Sequence, residues 1–259
     1  MQCSLSLTFA LGVAVAAGCT RSGYSDFTTN ASDGDAGTTA YRQSVLADAP
    51  LAYYRFDEPD GSTVAIDLSG SGHDGTFVGS PIFGVPGALA TDSNPSICFD
   101  GDTYVKVNLP TVDTTDGAQT TVEFWMRWNG NPNRMPVAFG TYNLWLKTND
   151  LFGFNTNRSD IWGVRDAKLA HRWHHVVAIF HNGDTRNNRL YLDGNEQTLQ
   201  PVAGSFPKVM SVESRFRIGR YDSEEEGGYK FTGLIDEVAV YTGALAPKRV
   251  SAHYLAASQ

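Results

Sequence analysis

Residues 171–195 read HRWHHVVAIFHNGDTRNNRLYLDGN. Two short runs rich in β-branched and aromatic residues, WHHVVAIF and RLYL, are separated by Asn, Gly and Asp, the composition of strands joined by turns. The second run ends in Asp193-Gly194, a dipeptide preferred in two-residue hairpins because both central positions need positive φ. Four of the six histidines of the chain crowd into this stretch: His171, His174, His175 and His181. Strand alternation puts Trp173, His175, Val177 and Ile179 on one face, and His174, Val176, Ala178 and Phe180 on the other. The adjacent His174 and His175 therefore point to opposite sides and cannot chelate one ion. Neither has a carboxylate at a spacing that would orient it as a base, so both are expected to be half-buried, hydrogen-bonded structural residues.

Outward from this stretch the texture repeats. LAYYRFDE, SICFDGDTYVKVN, TTVEFWMRW, YNLWLKT, LFGFNTN, RFRIG and FTGLIDEVAVY are short strand-like runs separated by Gly, Pro, Asn or Asp. Only APKRVSAHYLAA near the C-terminus reads helical, with Pro247 suited to a first turn and Val250 and Tyr254 four apart. Strands do not alternate with long helices, which excludes a parallel α/β sheet. The fold class expected is all-β, a two-sheet antiparallel sandwich with a short C-terminal helix. At 259 residues and 41% hydrophobic, the chain is long enough to bury a full core in one domain. Its net charge of -8 and the lack of a Lys/Arg cluster along the sequence argue against a nucleic-acid partner. A monomer is expected.

The N-terminus reads as an address. Leu5 to Ala17 is an uncharged apolar run of signal-peptide length, too short to span a membrane. VAAGC follows and resembles a bacterial lipobox, with Ala16 where Leu is usual. Residues 1–18 are then a lipoprotein signal peptide and Cys19 carries the lipid. Ordinary cleavage after Ala14–Ala16 is the alternative, giving a secreted protein. Residues 19–44 are rich in Thr, Ser, Gly, Asp and Ala and read as a flexible tether, leaving 45–259 as the domain. Thr20 after Cys19 is compatible with outer-membrane sorting. Cys3 would be removed and Cys19 acylated, so Cys98 is expected to be a buried free thiol.

LAYYRFDEPDGSTVAIDLSGSGHDGTF and GVPGALATDSNPSICFDGDTYVKV resemble the opening of a laminin-G-like, concanavalin A-like jelly roll. TVEFWMRW, RWHHVVAIFHNG, RLYLDGN, RFRIGR and FTGLIDEVAVYTGALAPKRVSAHY continue it in order, over about Leu51 to Tyr254. The resemblance implies the fold strongly and function weakly, since lectins, adhesion modules, glycan-binding appendages and glycosidases share this architecture. It also implies one structural Ca2+, held by Asp57, Asp67 and Asp236. His73 stands where relatives often have Asn and offers only a main-chain carbonyl. The other reading of these aspartates is solvated turns.

Glycan binding needs aromatic platforms beside polar groups. In YNLWLKT, alternation turns Tyr142, Leu144 and Leu146 inward and leaves Trp145 with Asn143 and Lys147 on the other face. Trp145, Asn143 and, in SDIWG, Trp162 are therefore the candidate sugar-binding residues, unless a loop covers this face. Glycosidases of this architecture carry E-x-D-x-E or E-x-D-x-x-E along one strand. The one E-x-D here, Glu58-Pro59-Asp60, lacks the third acid, and alternation sends Asp236 and Glu237 to opposite faces. GSGHDG at 70–75 has the glycine spacing of a dinucleotide loop without the strand before it or the helix after it, so its glycines serve turns. The acidic run DSEEEGGY, Asp222 to Tyr229, reads as a solvated loop, with rim contacts to a cationic partner as the other reading. The function expected is non-catalytic recognition at the cell surface, of a carbohydrate first, with protein adhesion or an envelope scaffold as the alternative and glycoside hydrolysis a distant third.

Overall fold

Strand alternation and turn chemistry build two stacked antiparallel sheets. The structure, a computed structural model, describes residues 39–90, 92–156, 159–221 and 229–258. The expected signal peptide, Cys19, most of the tether and the acidic run except Tyr229 lie outside them. One sheet, the back sheet, has eight strands, with Trp173–His181, Gln119–Trp128 and Thr232–Thr242 at its centre. Trp173–His181 pairs with Gln119–Trp128 without a break, from Trp173 opposite Arg127 to His181 opposite Gln119. The other, the front sheet, has nine strands in the order Gln200–Ala203, Ile161–Val164, Leu151–Asn155, Tyr142–Thr148, Val137–Phe139, Arg215–Ile218, Tyr104–Asn108, Gly75–Val78 and Val64–Ala65.

The faces of Trp173–His181 fall as alternation requires. Val176, Ala178 and Phe180 enter the core between the sheets, while Val177 and Ile179 enter a second cluster behind the back sheet. Phe180 meets Tyr142 at 4.9 Å, Phe154 at 5.0 Å and Phe139 at 5.5 Å, each edge-on, the arrangement ring quadrupoles prefer. The Asp193-Gly194 turn has φ of 51° and 76°, the left-handed pair expected, and joins Arg189–Leu192 to Asn195–Glu196. Cys98 is fully buried, and the other two cysteines lie outside the described residues.

Two helices cover the back sheet. The C-terminal α2 (Pro247–Ala256) starts at Pro247 as expected and buries Val250 and His253. Its Tyr254 stacks on Trp125 at 6.0 Å. The second, α1 (Ala40–Ala47), was not anticipated. Thr39 caps it by accepting from the Arg42 N–H, and Tyr41 and Val45, one turn apart, point into the cluster behind the sheet. Residues 40–44, grouped by composition with the tether, thus belong to the packed body. Two apolar residues at helical spacing suffice there because α2 and the back sheet already present a surface to receive them.

The sheet edges are blunted. Edge strands Asn195–Glu196 and Val64–Ala65 have two residues each, and Ile82–Pro86 and Gln200–Ala203 contain prolines.

Candidate functional site

With α1 and α2 across the back sheet, the outer face of the front sheet is the broad surface left for a ligand. One rung of this face runs Thr76, Lys106, Arg217, Ala138, Asn143, Asn155, each opposite the next in register. The rung changes character along its length. Asn143 and Asn155 are buried, the Asn155 amide donating to Asp160 O at 2.8 Å, whereas Thr76 and Lys106 are exposed.

The closed end contains Trp145. Alternation placed it on the outer face correctly, but it is only 4% exposed. Met135, Ile161 and Val202 are buried with it, and Tyr221 and Tyr229 pack over the group, Tyr229 edge-on to the indole at 5.4 Å. Trp145 and Asn143 are therefore not an open stacking platform; alternation reports a face and not what lies over it. Trp162 is half-buried on the opposite side of the sheet, packed toward the main core and 5.4 Å from Phe206. The two tryptophans share no surface.

The open end is formed by Tyr104–Asn108 and its neighbours. Val105 and Val107 fill the core, so Tyr104, Lys106 and Asn108 face outward. The Tyr104 ring is half-buried, with Arg220 Cζ at 4.6 Å and Lys106 Nζ at 5.7 Å from its centroid. Arg217 lies directly across from Lys106 and Arg215 from Asn108. Sequence reasoning missed this group, although DTYVKVN carries its signal: strict alternation with every outward residue polar or aromatic. A separate cleft of about 520 Å³ opens where Gly183–Asp184 meets Val209–Met210, lined by Asp116, His181, Asp184, Lys208, Val209 and Ser211.

The three aspartates of the expected calcium site are not brought together as ligands. Asp57 is exposed. Asp67 accepts at one oxygen from the N–H groups of Tyr53 and Ser69 and at the other from the His73 N–H and the Ser69 hydroxyl, all at 2.9 Å. Burial alone would raise its pKa, but these donors hold it below the usual range, and they occupy the lone pairs a cation needs. Asp236 is fully buried and accepts from the Ala88 N–H at 2.9 Å. Among the described residues no three His, Cys, Asp or Glu side chains are grouped to hold a metal. These residues do not fit a calcium ion.

Asp236 and Glu237 also depart from simple alternation. A register shift interrupts the strand between Asp236 and Ala239, and Glu237 has φ of 54°. Both carboxylates consequently approach the Asn94 amide, at 3.3 and 3.4 Å. Arg55 supplies the positive charge, donating to Glu237 at 2.9 Å and pairing with Asp92, while the Tyr53 hydroxyl donates to Glu237. Burial, and then the charge of Glu237, push the Asp236 carboxyl well up; burial against the opposing pull of Arg55 leaves Glu237 at about 7. Both acids have no exposure, so they are not a pair facing each other across a groove.

His174 and His175 are hydrogen-bonded, as expected, but buried instead of half-buried, and they do have carboxylate partners. His174 Nδ1 lies 2.8 Å from Asp193, in the hairpin turn, and His175 Nε2 lies 2.8 Å from Glu123, on the neighbouring strand. Local spacing could not reveal either, because strand pairing brings the acids in.

Known structures share the architecture. Domain 4 of AbnA, a GH43 extracellular arabinanase from Geobacillus stearothermophilus solved with arabinotriose, is similar with a TM-score of 0.53 and 18% identity, over 79% of this chain and 98% of that one. The structure of botulinum neurotoxin type C, whose cell entry depends on interaction with two ganglioside molecules, gives 0.56 at 12% identity over 83% of this chain and 52% of that one. The binding domain of botulinum neurotoxin DC in complex with rat synaptotagmin II gives 0.55 at 12% over 82% and 52%. This chain spans about half the length of those toxin chains. At such identities the likeness shows the fold alone. No match is found among curated protein sequences. Residues 99–251 match the model of the concanavalin A-like lectin/glucanases superfamily, and the chain belongs to that family.

Proposed function

We propose that this protein is a non-catalytic carbohydrate-recognition module that binds a glycan at the open end of the front sheet. The observation that carries the reading is the outward-facing, half-buried Tyr104 ring, on the same face as the polar side chains of Thr76, Lys106 and Asn108. A ring covers the C–H face of a sugar while such neighbours meet its hydroxyls. The similarity to domain 4 of AbnA, which holds arabinotriose, supports it. Edge strands that are short or contain proline, and exposed large apolar side chains limited among the described residues to Val64, Ile66, Val209 and Leu255, favour a glycan over a protein partner. The burial of Asp236 and Glu237 favours binding over hydrolysis.

Tyr104→Ala in the full chain is expected to weaken polysaccharide binding about tenfold or more, as removal of a stacking ring does, with the fold retained. Affinity electrophoresis against a polysaccharide panel measures it. Unchanged retardation in the variant, or loss in a His181→Ala cleft variant instead, contradicts the assignment.

We further infer an exported protein anchored through a lipid on Cys19. Cys19→Ser is expected to move the protein from the detergent-rich to the aqueous phase on Triton X-114 partition. A wild type found only in the aqueous phase contradicts the anchor and favours secretion.

A further inference from the structure

We infer that the cleft lined by Asp116 and Lys208 binds a small zwitterion, a free amino acid with an apolar side chain. This goes beyond the glycan reading and shares no residue with it. At about 520 Å³ the cleft falls within the roughly 300–1,000 Å³ usual for small-molecule sites. One buried side chain ties its walls together. Asn182 is 1% exposed; its amide donates to Asp113 O at 2.9 Å and to Thr115 O at 3.0 Å, and its Oδ1 accepts from the Val212 N–H at 2.9 Å. Its main chain holds the same loop, donating to Ala118 O at 2.9 Å and accepting from the Gly117 N–H at 3.1 Å. The other wall is held by Thr185, whose N–H donates to Lys208 O at 3.1 Å and whose hydroxyl accepts from the Lys208 N–H at 3.2 Å. Gly183 has φ of 95°, and a Cβ there would collide with the Asp116 carboxylate, which packs directly on the glycine.

On this fixed frame two opposite charges are left open. Asp184 is engaged, with Arg186 Nε 3.1 and 3.0 Å from its two oxygens. The side chains of Asp116 and Lys208 make no hydrogen bond or ion pair among the described residues, with each other included. A carboxylate and an ammonium thus line one cleft too far apart to pair. A molecule carrying both signs closes that gap, its ammonium on Asp116 and its carboxylate on Lys208, whereas a neutral sugar leaves each charge without its counterpart. The Ser211 hydroxyl, also without a partner, adds a donor for the ligand carboxylate. His181 completes the polar lining, its Nδ1 buried without a partner. Val209, 84% exposed, and exposed Pro207 form an apolar rim that the ligand's side chain can cover.

The test titrates the full chain in a calorimeter with L-leucine, leucinamide, which keeps only the ammonium, N-acetylleucine, which keeps only the carboxylate, and glycine. Leucine is expected to bind about tenfold or more tighter than each of the other three. Asp116→Asn is expected to weaken leucine about tenfold and leave N-acetylleucine unchanged. Lys208→Met is expected to weaken leucine as much and leave leucinamide unchanged, and urea midpoints close to wild type show that both variants fold. Such crossed selectivity is not produced by a structural role. Leucinamide equal to leucine overturns the inference in favour of a plain cation site, and N-acetylleucine equal to leucine in favour of a plain anion site. Glycine equal to leucine overturns the apolar class. No binding of leucine up to about 10 mM overturns the inference outright and leaves the glycan reading standing.

Discussion

Glu123→Ala is expected to destabilise the fold by about 3–5 kcal/mol, the cost of emptying one side of a buried charged network. Glu123 has no exposure and sits on the back sheet beneath both helices. Four side chains converge on its carboxylate: Tyr41 from α1 at 3.0 Å, Tyr241 at 2.8 Å, His175 at 2.8 Å and His253 from α2 at 2.9 Å. His253 is also 2.9 Å from Asp48, just after α1, and Arg249 of α2 reaches the same Asp48 at 2.7 Å. The substitution leaves these donors facing a void and loosens both helices from the sheet. Burial alone would raise the pKa of Glu123, but the His253 charge and the His175 hydrogen bond hold it far below the usual range. Burial would lower His253, and Glu123 and then Asp48 raise it. The Glu123 contribution is present above its ordinary 4.5 and fades as pH falls toward its low folded value. That of His253 is complete below its ordinary 6.5 and fades as pH rises through its higher folded value. The wild-type advantage over Glu123→Ala, measured by urea unfolding across the neutral and alkaline range, is therefore expected to be largest between the ordinary values of 4.5 and 6.5 and to shrink as pH rises above them. An advantage that does not vary across that range contradicts the network.

Arg55→Met carries a similar expected loss, about 3–5 kcal/mol at pH 8, because it strands buried carboxylates without their cation. Arg55 is 4% exposed and is held by Glu237 and Asp92, with Asp236 alongside. Glu237 stands at about 7, above its ordinary 4.5, so the stability linked to its protonation is present at low pH and lost as pH rises through about 7. Removing Arg55 raises Glu237 further, and the deficit is expected to narrow toward pH 5, where the proton replaces the guanidinium. Adding Glu237→Gln to Arg55→Met should recover most of the loss in a double-mutant cycle. Additive losses would show that Arg55 acts through packing alone.

Much of the fold was legible because its signals are local. Alternation in WHHVVAIF, the Asp193-Gly194 turn and Pro247 at the head of α2 each depend on neighbours within a few residues. What was missed depends on distant chain. Glu123 is the one acid in TTVEFWMRW and drew no expectation, because its partners come from residues 41, 175, 241 and 253 and no spacing rule joins them. Arg55 meets Glu237 across 182 positions. Trp145 was placed on the correct face and then covered by residues from other loops, Tyr221 and Tyr229 among them. The cationic group around Tyr104 is invisible in a chain whose Lys and Arg are scattered, because register alone sets Arg217 beside Lys106.

Hydroxyl-radical footprinting of the full chain, with and without saturating polysaccharide, tests the central claim most directly, since it reads side-chain exposure at both candidate surfaces. Val209, 84% exposed at the cleft, is the internal reference. Carbohydrate recognition on the front sheet predicts that Tyr104 is protected while Val209 reacts as before. Protection of Val209 with Tyr104 unchanged would contradict it and place the ligand in the cleft.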